Sequence, residues 1–173
     1  MAIITVDTGA RMLSAFGRSV PCVIGRSGAI AAADKREGDG RTPLGDYALR
    51  AVLLRPDRMA APATLLPWRW LRTSDGWSDA SNDPEYNRPV RHPHAYSAEC
   101  LWRQDGLYDI IVVVGHNDAP PVPGLGSAIF LHCTRADGSA DGAQGTAGCI
   151  AIPSDALAAL VDAAAPGDMI CIR

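Results

Sequence analysis

The run Ile110-Ile111-Val112-Val113-Val114 limits the fold more than any other part of the chain. Five β-branched residues in succession suit a pleated strand and resist a helix. No polar residue alternates among them, so both faces of that strand need apolar cover. The segment 108–114 is therefore read as a central strand. It ends at Gly115-His116-Asn117-Asp118, polar groups at a strand terminus.

Shorter runs of the same character surround it. Residues 3–6 are β-branched, and residues 11–16 and 19–24 flank Gly17-Arg18 as a hairpin turn. Residues 47–54, 128–133, 148–152 and 169–172 read as further strands. Residues 34–47 are rich in charge and glycine and read as a surface loop, with Pro43 and Gly45 setting the backbone before a strand. One helix follows Pro153. Ser154 is placed to cap it, Asp155 lies in its first turn, Leu157, Leu160 and Val161 share a face, and Pro166-Gly167 stops it.

Residues 55–106 are the least periodic part. Proline recurs there and all four tryptophans fall within it, the pattern of an irregular insertion or a lid. Asn87, Arg88, Arg91, His92 and His94 read mainly as exposed loop residues. The sum is a mainly β single domain over residues 1–173 with one helix near the C-terminus.

Composition narrows the function. Sixteen basic against 19 acidic residues give a net charge of −3, which argues against a nucleic-acid partner. No apolar run is long enough for a transmembrane helix. The N-terminal residues lack the basic region and apolar stretch of a signal peptide, so the sequence leaves open an intracellular location or a removed leader. Nothing in it indicates an oligomeric state. Five cysteines without close pairs suggest neither a disulfide framework nor a zinc ribbon, and four of them are expected to pack as small hydrophobes.

Cys149 stands apart, preceded by Gly145-Thr146-Ala147-Gly148. His132 ends the earlier apolar run, across a loop over residues 134–146. A thiol attacks a carbonyl as thiolate and is only slightly ionised at neutral pH, so a nearby imidazole base gives this pairing its meaning. Gly148 would let a substrate carbonyl approach backbone N–H groups of Gly148 and Cys149, an oxyanion hole. On spacing alone, a structural histidine beside a packed cysteine is the commoner description. Zinc held by His116, His132 and Cys149 is a further option, although no short-spaced ligand pair nucleates it.

At these residues the sequence resembles the L,D-transpeptidase catalytic domain of the YkuD type. The family pattern is a histidine, a loop of this length, then Ser/Thr-His-Gly-Cys, an apolar residue and Arg or Asn. Here it reads His132, the loop, and Thr146-Ala147-Gly148-Cys149-Ile150-Ala151. Gly40-Arg41-Thr42-Pro43-Leu44-Gly45-Asp46-Tyr47 also resembles the family's Thr-Pro-x-Gly-x-aromatic element. The resemblance implies a β-sandwich-like domain in the periplasm or cell envelope that acts on peptidoglycan stem peptides without metal or organic cofactor. It implies Cys149 as nucleophile, His132 as base, and Thr146 as a support for the site. Ala147 and Ala151 depart from the pattern, and His116, Arg135 or Arg91 are candidates to replace the lost polar group in substrate binding. An L,D-carboxypeptidase or other cysteine peptidase, and a non-catalytic wall-binding domain, are the competing functions.

Overall fold

The computed structural model describes residues 1–140 and 145–173, so part of the loop expected between His132 and Thr146 lies outside the described residues. In chain order the strands are β1 (Ile3–Asp7), β2 (Met12–Ala15), β3 (Arg18–Pro21), β4 (Ala29–Ala31), β5 (Thr42–Leu54), β6 (Trp68–Trp70), β7 (Asp75–Ser78), β8 (Pro89–Arg91), β9 (Ala98–Cys100), β10 (Ile110–Val114), β11 (Phe130–Cys133), β12 (Ile150–Ile152) and β13 (Met169–Ile172). The helix α1 (Ser154–Ala163) lies between the last two strands.

The main sheet runs β12-β11-β10-β5-β13-β1-β2-β3 and curls until its ends approach. Just past β3, Val23 bridges to Ala151 of β12, and Gly25 bridges to Thr146. The curled sheet encloses the larger apolar cluster, which holds Ile4, Val6, Ile24, Val52, Val112, Leu131 and Ile150 together with Leu157, Leu160 and Val161 of α1. This is the sandwich-like, mainly β arrangement the sequence implied.

β10 is buried along its whole length for a simple reason. Ile110, Val112 and Val114 face that large cluster, whereas Ile111 and Val113 face a second cluster with Leu53, Phe130, Tyr108 and Cys149. Two cores back to back leave no polar face, as the unalternating run required.

Several local expectations change. The segment 34–47 is not a free surface loop: Lys35 and Thr42 are buried, and β5 starts at Thr42. Pro43 has a place in that strand because its neighbour β4 pairs in parallel there, and Gly45 pairs with Ile172 in the left-handed region. Pro153 rather than Ser154 occupies the N-cap of α1, with no side-chain cap bond. Cys100 is exposed while the other four cysteines are buried. Residues 55–106 contain β6 and a separate three-stranded sheet, β8-β7-β9, instead of irregular chain throughout.

Candidate active site

β11 and β12 run parallel, with Leu131 opposite Ile150 and His132 opposite Ala151. Side chains alternate along each strand, so Phe130 and His132 share the face that Cys149 occupies just before β12. The Phe130 N–H reaches the Cys149 Sγ at 3.4 Å, which fixes that neighbour relation. Imidazole and thiol therefore lie on one face of adjacent strands and line one cleft of about 190 Å³ with Thr146, Gly148 and Tyr108.

The thiol has defined backbone partners. It donates to the Ala128 carbonyl at 3.1 Å and accepts from Phe130 N–H. Ala128 sits at φ 52, a region costly for a residue with a side chain, and the Asn87 Oδ1 accepts its N–H at 3.1 Å. The strained turn aims a carbonyl at the sulfur.

His132 is oriented by its neighbour. Its Nδ1 lies 2.9 Å from the Cys133 carbonyl, which can only accept, so Nδ1 carries the proton and Nε2 is the basic nitrogen. The Tyr108 ring meets the imidazole edge-on with centroids 5.1 Å apart. Tyr108 donates its hydroxyl to Glu99, and burial followed by the Glu99 charge pushes its pKa well above the usual phenol value. It stays protonated through the physiological range.

Two threonines lock the turn before Cys149. Thr146 Oγ1 donates to the Cys149 carbonyl at 2.7 Å and accepts the Gly148 N–H at 3.1 Å. Thr42 Oγ1 donates to the Gly148 carbonyl at 2.9 Å and accepts the Gly25 N–H at 2.9 Å. The Thr-Pro-x-Gly element thus touches the Gly148-Cys149 turn directly. Gly148 has φ 147, and a Cβ there would lie 2.9 Å from the Arg41 carbonyl. Its lack of a side chain serves packing against Arg41, and its N–H is committed to Thr146. Of the two backbone donors expected for an oxyanion hole, Gly148 shapes the turn instead.

The structure does not bring every expected residue to this cleft. Arg135 pairs with Asp105 at 3.0 Å and lines a different cavity of about 860 Å³ beside the start of α1. The Arg103 guanidinium, more than that of Arg135, holds the Asp105 carboxyl down at about 2. His116 donates from Nε2 to the Leu125 carbonyl at 3.0 Å and packs edge-on against Tyr47. Burial lowers its pKa, so it is a neutral anchor for the segment after β10. Arg91 is exposed at the end of β8 and lines a cavity with Arg69, Arg72 and Asp75.

His116, His132 and Cys149 therefore do not converge as zinc ligands. Among the described residues, the one group spaced for a metal is Asp83, Glu85 and His94. Asp83 there already accepts from His94 at 2.7 Å and from Ser78. The cleft also gains residues not singled out from sequence: Asp79, Glu99, Ser127 and Tyr108. Three of these come from or beside the 55–106 segment, and no local pattern there marked them.

The chain matches the family model of the YkuD L,D-transpeptidase catalytic domain over residues 1–172. No curated protein sequence matches it significantly. Among solved structures it is similar to Bd1075 of Bdellovibrio bacteriovorus, at 20% identity and a TM-score of 0.50 over 99% of this chain and 47% of that one. It is also similar to an L,D-transpeptidase from Mycobacterium smegmatis (18% identity, TM-score 0.44, 99% of this chain and 58% of that one). The helical cell shape determining protein Pgp2 from Campylobacter jejuni gives 16% identity and a TM-score of 0.49, over 99% of this chain and 47% of that one. The chain spans about half the length of these proteins. At such identities the likeness bears on fold alone.

Proposed function

We propose, from the premise that the chain belongs to the L,D-transpeptidase catalytic domain family, that Cys149 and His132 carry out acyl transfer on peptidoglycan stem peptides. The observation that supports this reading most is the pairing of a thiol with a tautomer-fixed imidazole on one strand face, opening on one cleft.

In the proposed reaction, His132 Nε2 takes the thiol proton and Cys149 Sγ attacks the carbonyl at the L-centre of a diamino acid joined to D-alanine. As the C–N bond breaks, the imidazolium returns that proton to the departing amine, and D-alanine leaves a thioester on Cys149. The side-chain amine of a second stem then attacks the thioester, gives its proton to His132 and displaces the thiolate. A base so placed contributes about 10²–10⁴-fold. With Gly148 N–H committed to Thr146, the Cys149 N–H is the backbone donor assigned to the oxyanion.

Incubation with tetrapeptide muropeptides, read by mass spectrometry, tests the reaction. Cross-linked dimers and free D-alanine are expected; tripeptide monomers as sole product would replace the transferase with a carboxypeptidase. A carbapenem is expected to add once to the wild-type protein by intact mass and not at all to Cys149→Ala. An undiminished adduct on that variant would remove Cys149 as nucleophile.

A further inference from the structure

Asn87 is not among the residues that line the cleft, yet a single residue links it to the Cys149 thiol. It is buried between β7 and β8 at φ 55, a backbone region that asparagine tolerates better than most residues. Its carboxamide is saturated. Oδ1 accepts the Trp77 Nε1–H at 2.9 Å and the Ala128 N–H at 3.1 Å. Nδ2 donates to the Asn117 carbonyl at 2.7 Å and to the His116 carbonyl at 3.2 Å. A carboxamide offers two acceptor sites and two N–H groups, so each is used once. The reversed amide would set its NH2 against two donors and its oxygen against two carbonyls, which fixes the orientation.

What Asn87 holds is the stretch of chain ahead of β11. Tyr86 and Asn87 grip alternate residues of it: the Gly126 N–H donates to the Tyr86 hydroxyl at 3.0 Å, and the Ala128 N–H to Asn87. Ala128 is at φ 52, a conformation that alanine does not keep unaided. Its carbonyl accepts from the Cys149 thiol at 3.1 Å, and the Phe130 N–H donates to the same sulfur at 3.4 Å. A cysteine Sγ chooses among three staggered positions, and these two backbone groups select one of them. We propose that Asn87 is a positioning residue that, through Ala128, holds the Cys149 sulfur on the face it shares with His132. A change at Asn87 then alters where the sulfur stands and leaves the side chains lining the cleft in place.

This assignment rests on the acyl-transfer reading of Cys149, so its test separates the hold on the sulfur from binding and from stability. Acylation by meropenem is followed by stopped-flow fluorescence over a range of concentrations. The dissociation constant of the first complex and the rate constant of the step after it are then obtained separately. In Asn87→Gly, glycine accepts the left-handed backbone and only the carboxamide is lost. The rate constant is expected to fall about 10–100-fold, the scale of a misplaced reacting atom, with the dissociation constant within about twofold. Asn87→Asp keeps an oxygen for the Ala128 N–H but no longer donates to both carbonyls. It is expected to acylate within about threefold of wild type although its melting temperature falls. Trp77→Phe removes the other donor to Oδ1, keeps a ring against Phe130, and is expected to acylate within about twofold of wild type.

Unchanged acylation in Asn87→Gly would overturn the assignment and leave the acyl-transfer reading standing. Faster acylation would do the same, because the Ala128 carbonyl would then restrain the thiol. Equal slowing in Asn87→Gly and Asn87→Asp, or comparable slowing in Trp77→Phe, would reduce Asn87 to a packing residue of the small sheet. A wild-type protein that takes no adduct at Cys149 sinks the acyl-transfer reading itself, and the assignment falls with it. Asn87→Ala gives a second reading of the same loss, and melting curves show whether each variant is folded. If neither Asn87→Gly nor Asn87→Ala folds, Asn87 is a residue of the scaffold and the assignment is overturned as well.

Discussion

At the scale of single residues, His132 has its roles divided between its two nitrogens. The Cys133 carbonyl holds the proton on Nδ1, and that choice leaves Nε2 as the nitrogen able to accept a proton. Replacing His132 by alanine is expected to slow acylation of Cys149 by a carbapenem about 10²–10⁴-fold. The thermal midpoint should fall far less steeply, since the imidazole lines the cleft instead of filling either apolar cluster. Stopped-flow fluorescence and a melting curve on the same preparation check both halves; a loss of stability with unchanged acylation would leave His132 structural. The other buried thiols should stay silent in such work. Burial pushes Cys22 up to about 11 and raises Cys133 as well, so neither offers thiolate at neutral pH.

At the scale of elements, the turn before Cys149 is held from outside its own strands. Thr42, the first residue of β5, bonds the Gly148 carbonyl and the Gly25 N–H with one hydroxyl, all three groups buried. Thr42→Val keeps the shape and strands two backbone groups, each costing about 1–3 kcal/mol. The expected outcome is a loss of about 2–4 kcal/mol in urea unfolding together with slower acylation, and Thr42→Ser should restore both. Recovery of neither by serine would show that the methyl, not the hydroxyl, matters. The sequence made this region partly legible. Strand runs such as β10, β11 and β13 were readable because burial on one or both faces leaves a clear apolar pattern. The start of β5 was not, because Pro43 and Gly45 are turn residues by habit and are tolerated here only through the partners β4 and β13. Likewise Gly148 looked like space for a substrate, but the contact that demands it is the Arg41 backbone, far away in sequence.

On the scale of the whole molecule, closure of the curled sheet and docking of the small sheet are what complete the cleft. His132 and Cys149 were legible as candidates in the sequence because one lies in and the other directly before a strongly apolar strand. Asp79, Glu99 and Asn87 could not, because their positions depend on three- and four-residue strands whose partners are distant. Trp77 is the hinge pin of that docking. Its ring meets Phe130 of β11 edge-on at 5.2 Å, and its Nε1 donates to Asn87 Oδ1 at 2.9 Å. The same Asn87 carboxamide donates to the His116 and Asn117 carbonyls and accepts from Ala128, whose own carbonyl meets the thiol. Trp77→Ala removes the aromatic contact and one donor, and for a half-buried tryptophan a loss of about 2–3 kcal/mol is expected, below the core range. The effect should be uneven. Amide exchange should quicken across β7, β8 and β9 and around Ala128, while β5, β10 and β13 keep their protection, because the larger core does not touch Trp77. Uniform loss of protection would mean that the two cores unfold as one, and that the small sheet is part of the scaffold instead of a wall docked upon it.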